Sequence, residues 1–314
     1  MGQMSEPLLI MTVIISIGAL IRKIRLINYD DVRSLSMLVL DVAYPAVAFG
    51  SVGGMNGRIP IGAWHLFMAG IAISGILTLL AYLVSTSMLD LAQPDRASFV
   101  NISAQGNTIF LALPLAQLIF GPRSTIYVLM FDFGVTVVLW TLGVWVFRHS
   151  GHRTQNGPKG ILSPTLIALV LSLAMNAAGV SVPGAILKAM NILGGMATPL
   201  AMIVLGATLY EAVFSLTQSP IWGTMVAAIL FKLVLSPTLA ILTAAWTGID
   251  GLARAVLIMQ AAMPTMVSAP TFARRYGANE AIASIGVLLT TLISLISVPL
   301  ILNMAGALKA AALP

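Results

Sequence analysis

The sequence predicts an all-α membrane protein of ten transmembrane helices, arranged as two inverted five-helix repeats with the fourth and ninth helices broken. Three observations carry that expectation. Of 314 residues, 59% are hydrophobic and 8% charged, with a mean hydropathy of +0.99. A soluble domain carries roughly 25% charged residues, so this chain cannot cover a water-facing surface. Apolar runs bounded by charges, Gly, Pro or Asn recur along the chain, and ten spans of about 20 residues leave only short connections. Two short motifs also recur in equivalent spans of the two halves.

The first span, 5–22, lies between Glu6 and the cluster Arg22, Lys23 and Arg25. That charge order is the reverse of a secretory signal, so the segment reads as a retained helix. Span two, 32–54, follows Asp30 and Asp31 and contains Pro45; span three, 61–89, begins after Pro60 and stops at Asp90. Span four, 97–120, ends at Gly121, and span five, 124–148, lies between Arg123 and Arg148. The longest polar stretch, Arg148 to Gly160, falls almost at mid-sequence. It divides the chain into a first repeat (1–148), a loop (149–160) and a second repeat (161–314). Spans six to ten follow at 161–180, 184–210, 220–247, 252–274 and 279–307. Without Cys, disulfide frameworks and thiolate metal sites are excluded.

The net charge of +6 does not point to nucleic acid, because the basic residues sit at the ends of apolar runs. With the N-terminus outside, ten Lys and Arg fall on the cytoplasmic side and five outside, Lys232 lying within a span. This predicts an inner-membrane protein with both termini periplasmic and the central loop cytoplasmic.

Pro114 to Gly121 and Pro270 to Gly277 both read Pro, five residues, an aromatic, then Gly, at an offset of 156. Ala43-Tyr-Pro45 and Ala197-Thr-Pro199 share Ala-x-Pro at an offset of 154. An odd number of crossings per repeat inverts the second copy. That architecture belongs to secondary transporters, whose sites lie at the repeat interface near the midplane.

Span four places Asn101, Gln105, Gly106, Asn107 and Thr108 ahead of Pro114; span nine holds Gln260, Pro264, Thr265, Ser268 and Pro270. Proline lacks an N–H and clashes with the preceding turn, so it either kinks a membrane helix or breaks it. A break exposes amides, carbonyls and a half-helix N-terminus that favours an anion. Asn107 and Gln260 can donate to a carboxylate, or they can simply bond between helices. Three ionisable residues lie well inside spans: Asp41, Asp132 and Lys232. Intramembrane charges are costly and by default functional. Lys232 can neutralise the carbonyl ends of broken helices, pair with an Asp or meet an anionic substrate. Asp41 and Asp132 can carry a proton or serve as its partner. No metal site, cofactor motif, paired carboxylates or nucleophile elbow appears, so no enzyme is predicted.

The chain resembles the auxin efflux carrier family, which includes bacterial malonate and malate permease-like proteins and is related to the plant PIN carriers. The resemblance rests on Ala43-Tyr44-Pro45, on Asn107-Thr108 through Leu113-Pro114-Leu115, and on Pro199-Leu-Ala to Leu205-Gly206. Lys232-Leu-Val-Leu-Ser-Pro237 and Met263-Pro264 through Ala273-Arg274-Arg275-Tyr276-Gly277 extend it. Asp41 departs from it, standing where an apolar or aromatic residue is expected. The short central loop is similar to that of bacterial members.

The resemblance implies an architecture like that of bile-acid symporters and sodium–proton antiporters. It also implies a scaffold part, a transport part with elevator-like movement, and often a homodimer. It places Asn107 and Pro114 on the first crossing helix, Pro264 and Pro270 on the second, and Lys232 in support. The function predicted is secondary or facilitative transport of a small organic anion, a mono- or dicarboxylate such as malonate. Asn107, Thr108, Pro114, Gln260, Pro264, Ser268 and Pro270 form its candidate site, and coupling to protons, sodium or neither is left open. The alternative is an ion-coupled exporter of a cation or hydrophobic compound, built on Asp41 and Asp132.

Overall fold

The computed structural model describes residues 2–54, 59–148, 164–215 and 222–307, and every regular element among them is helical. The predicted loop 149–160 lies outside the described residues. Helix α1 (Gly2–Lys23) ends on Arg22 and Lys23, where cations suit the negative end of a helix. Helix α2 (Tyr29–Leu38) opens on a capping box between Asn28 and Asp31. It continues through a widened π turn, Val39–Ala43, into α3 (Tyr44–Gly53). Pro45 explains that turn: its ring would press on the carbonyl four residues back, and one extra residue in the turn makes room.

Next come α4 (Ile61–Ser87), α5 (Gln93–Ala104) and α6 (Ala112–Phe120). A short turn leads to α7 (Thr125–Val138), and a π turn, Leu139–Gly143, joins it to α8 (Val144–Arg148). The second half begins with α9 (Pro164–Ala177) and α10 (Gly184–Gly195), then α11 (Ala197–Ser215). Helix α12 (Trp222–Leu230) passes through a π turn, Phe231–Leu235, into α13 (Ser236–Thr247). Pro237 stands to this turn as Pro45 does to the first. Helices α14 (Gly251–Ala262), α15 (Ala269–Tyr276) and α16 (Glu280–Met304) complete the described chain.

Six continuous helical segments are long and apolar enough to cross a bilayer: Tyr29–Gly53, Ile61–Ser87, Pro122–Arg148, Gly184–Val213, Trp222–Thr247 and Glu280–Met304. Shorter apolar helices include α9 and α14.

The helices fall into two packing groups. In one, α1 lies along α11, and α3 along α9 and α10; in the other, α4 lies along α7 and α5, with α12 to α16 around them. Glycines set the closest approach in both. A Cβ on Gly206 would stand 1.9 Å from the Ile15 carbonyl oxygen, and one on Gly18 would stand 2.3 Å from that of Ile203. In the other group a Cβ on Gly70 or Gly134 would stand 2.4 or 2.2 Å from the carbonyl oxygen of Phe131 or Phe67. Lipid gives helices no hydrophobic reason to associate, so such backbone contact supplies the dispersion that holds them. Large apolar side chains such as Leu79, Leu83, Leu242 and Ile296 point outward, as a hydrocarbon environment allows. The split segments α5–α6 and α14–α15 run through the interior: Ala255 to Ala262 of α14 are buried without exception.

Candidate functional site

The site is built where two helices stop. Helix α5 ends at Ala104 and the chain turns extended at Gln105; α14 ends at Ala262 and turns extended at Met263. The two extended stretches run antiparallel, with Gly106 opposite Thr265. The Asn107 N–H donates to the Pro264 carbonyl at 2.7 Å, and the Met266 N–H to that of Gln105 at 3.1 Å. Thr265 adds two bonds: its N–H donates to Thr290 Oγ1 at 3.1 Å, and its hydroxyl to the Ile102 carbonyl at 2.6 Å. Buried backbone away from water needs such partners, and here each break supplies them to the other.

The prolines act differently from the sequence expectation. Pro114 and Pro270 lie inside the first turns of α6 and α15, beyond the breaks. Proline's fixed φ suits the first turn of a helix, so both residues start half-helices rather than interrupt them. Pro264 alone sits within a break.

Asn107 and Gln260 face buried surroundings and are each half satisfied. Asn107 Oδ1 accepts from the Leu111 N–H at 3.2 Å, while its Nδ2 has no partner at 2% exposure. Gln260 Nε2 donates to the Val128 carbonyl at 3.1 Å, while its Oε1 has none. The Thr108 hydroxyl donates to the half-buried Asp132 carboxylate. Ser268, also half-buried, precedes α15 without a side-chain cap bond. Tyr44 of α3 meets Phe110 edge-on at 5.7 Å, bringing the other packing group against this loop.

Lys232 lies on the π turn of Phe231–Leu235, is buried, and contacts Ser236 Oγ at 3.4 Å. It forms no ion pair with Asp132 or Asp41; the described ion pairs are Arg22–Glu211 and Arg274–Glu280. Asp41 is exposed on its own π turn, which packs against α9, α10 and α11 and not against the crossing. A cavity of ≈ 10 Å³ at the crossing is lined by Gly106, Thr108, Lys232, Ser236, Gln260 and Ala261, among others. That volume admits about one water and no dicarboxylate, so the crossing is closed here. A larger cavity of ≈ 800 Å³ lies at the ends of α3 and α9, near Trp64 and Leu187, and includes none of these polar groups.

Thr290 and Ser236 join the site without having stood out in the sequence: Thr290 Oγ1 accepts from the Thr265 N–H and the Ser236 hydroxyl donates to the Ala261 carbonyl, each across 25 positions. Only the Gln-Gly-Asn run at 105–107, polar and flexible inside an apolar span, gave a local signal.

An apolar helical bundle whose buried centre is formed by two split segments, with half-satisfied amides and a buried lysine, is the build of a multi-pass membrane transport protein. The chain matches the family described as membrane transport protein over residues 3–302, and it belongs to that family, the auxin efflux carriers. An uncharacterized transporter from Methanocaldococcus jannaschii is 24% identical over 301 residues, spanning 94% of this chain and 96% of the relative. Another from Methanothermobacter thermautotrophicus is 27% identical over 302 residues, with the same shares covered.

Proposed function

We propose that this protein is a secondary active or facilitative transporter of a small organic anion in the bacterial inner membrane, with malonate the specific choice. One observation carries the reading: Asn107 Nδ2 is a buried hydrogen-bond donor without an acceptor, at the break where α6 begins. A carboxylate satisfies such a donor, and the half-helix N-terminus and the cation of Lys232 favour its charge. Thr108, Gln260, Ser268 and the backbone beside Pro114, Pro264 and Pro270 complete the proposed site.

Ten spans in two inverted repeats, 1–148 and 161–314, accommodate the helices, with the termini periplasmic and the 149–160 loop cytoplasmic. The two packing groups suit a scaffold (α1–α3, α9–α11) and a transport part (α4–α8, α12–α16) moving by an elevator-like displacement. The closed crossing fits a cycle in which that displacement opens the site. Family resemblance favours a homodimer. The exporter reading on Asp41 and Asp132 is weaker, because the two carboxylates do not share a site.

Uptake of labelled malonate into proteoliposomes, with Asn107→Ala as control, tests the reading. Saturable uptake that the variant loses while remaining folded supports it. Equal uptake by both proteins removes Asn107 from the site, and no uptake by folded wild type removes malonate.

A further inference from the structure

We infer that the meeting point of the α5 and α14 C-terminal ends is a monovalent-cation site, and that Lys232 fills it with its own ammonium. The protein then holds no exchangeable sodium at the crossing. The inference stands whether or not the transported solute is an anion.

The C-terminal ends of two helices carry partial negative charge, and here they converge in the interior. Around that point the side chains offer oxygen. Gln260 Oε1 is fully buried, has no partner and lines the cavity that Lys232 enters. The Ser236 hydroxyl spends its proton on the Ala261 carbonyl at 2.7 Å, which leaves its lone pairs toward Lys232 Nζ at 3.4 Å. Oxygen dipoles without a thiol or imidazole are the ligand set of a hard cation. Among the described residues no carboxylate pairs with Lys232: Asp132, on α7, bonds Thr108 instead.

The backbone is shaped to admit the ammonium. The π turn of Phe231–Leu235 carries Lys232. Gly106 makes room for it, since a Cβ there would stand 2.9 Å from Nζ and 3.2 Å from Cε. A buried cation is otherwise expensive, and the two helix ends with the Ser236 oxygen at 3.4 Å are the groups placed to offset its desolvation. Tethering the cation through a side chain makes its binding independent of the ions in solution.

Removing the tether should therefore turn the site into one that takes a free cation. The full-length protein in detergent is melted in N-methylglucamine, sodium or methylammonium chloride at equal ionic strength, with tryptophan fluorescence as readout. Wild type should melt at one temperature in all three. Lys232→Ala should melt roughly 5 °C lower in N-methylglucamine and recover saturably in sodium or methylammonium. Lys232→Met, which fills the space with apolar atoms, should be lowered and should not recover. A saturable rise of the wild-type midpoint with sodium would overturn the inference even if neither variant folds. So would a Lys232→Ala protein that neither small cation stabilises.

Discussion

The backbone N–H of Asn107 donates to the carbonyl of Pro264 across 2.7 Å, so the gap in one split span is closed by the gap in the other. With the Met266-to-Gln105 bond this makes a two-bond antiparallel ladder inside an otherwise helical molecule. The ladder fixes the register between α5–α6 and α14–α15 without using a side chain. The Asn107 and Gln260 amides and the Thr108 hydroxyl are therefore presented from a frame that is already satisfied.

Asn107→Asp separates the two ends of this amide. The carboxylate still accepts from the Leu111 N–H, so the unfolding midpoint should stay close to wild type. The donor is lost and a negative charge is added, so uptake of labelled malonate below saturation should fall by about tenfold or more. Retained uptake with an intact fold would remove the donor role.

Thr290→Val tests the support of the crossing rather than its chemistry. It leaves the Thr265 N–H buried without an acceptor, a loss of about 1–3 kcal/mol. Thr265→Val strands the Ile102 carbonyl and should cost a similar amount. Denaturation in mixed micelles reads both.

Asp132→Leu removes the acceptor of the Thr108 hydroxyl, yet the Gly106 carbonyl stands at 3.5 Å as a second one. The loss should therefore lie near the low end for a hydrogen bond, about 1 kcal/mol. Asp132→Asn, which keeps an acceptor oxygen, should lose less in the same unfolding measurement.

Alanine at Gly206 or Gly134 must push helices apart, because the added carbon would stand 1.9 or 2.2 Å from a carbonyl oxygen. Either change should lower the melting midpoint sharply, with a cost of at least about 2 kcal/mol. Gly75→Ala, with nothing within 4 Å, should be neutral or stabilising by up to about 1 kcal/mol. Equal midpoints for all three would contradict the glycine contacts.

Arg274 bonds both Glu280 and Tyr29, and its guanidinium lies 5.0 Å from the Tyr29 ring centroid. The cluster is exposed, so Arg274→Gln should change global stability by less than about 1 kcal/mol. It joins α15 to the start of α2, however, so hydrogen exchange of the α15 amides should quicken. Unchanged exchange would show that the contact anchors nothing.

Much of the helical outline was legible because hydropathy and chain breakers act locally. Pro60, Asp90 and Gly121 mark helix ends in both the sequence and the structure. The polar run 105–108 likewise marked the region where span four opens. The site of the opening was less legible: Pro114 drew attention, although a proline in a first turn disturbs nothing. The interruption at Met196 between α10 and α11 follows Gly194 and Gly195, a breaker pair that the hydropathy of span seven ran through. Gly106 and Thr265 stood out only as residues of the two interrupted spans; their pairing, like the bonds of Thr290 to Thr265 and of Ser236 to Ala261, joins residues more than 20 positions apart. Lys232 was visible as a charge in a span, but its environment depends on Gly106 lacking a side chain and on a π turn.

The mutual closure of the two breaks also bears on how the chain is made. A split segment cannot rest in hydrocarbon with its amides unpaired, and the ladder partners of Gln105 and Asn107 are synthesised more than 150 residues later. The first split segment must wait, sheltered by the insertion machinery or by water, until α14 has left the ribosome. Assembly of the centre is thus a late, joint event. A nascent chain arrested after α13 should hold α4 and α7 in place while the stretch from Gln105 to Leu111 stays open to protease.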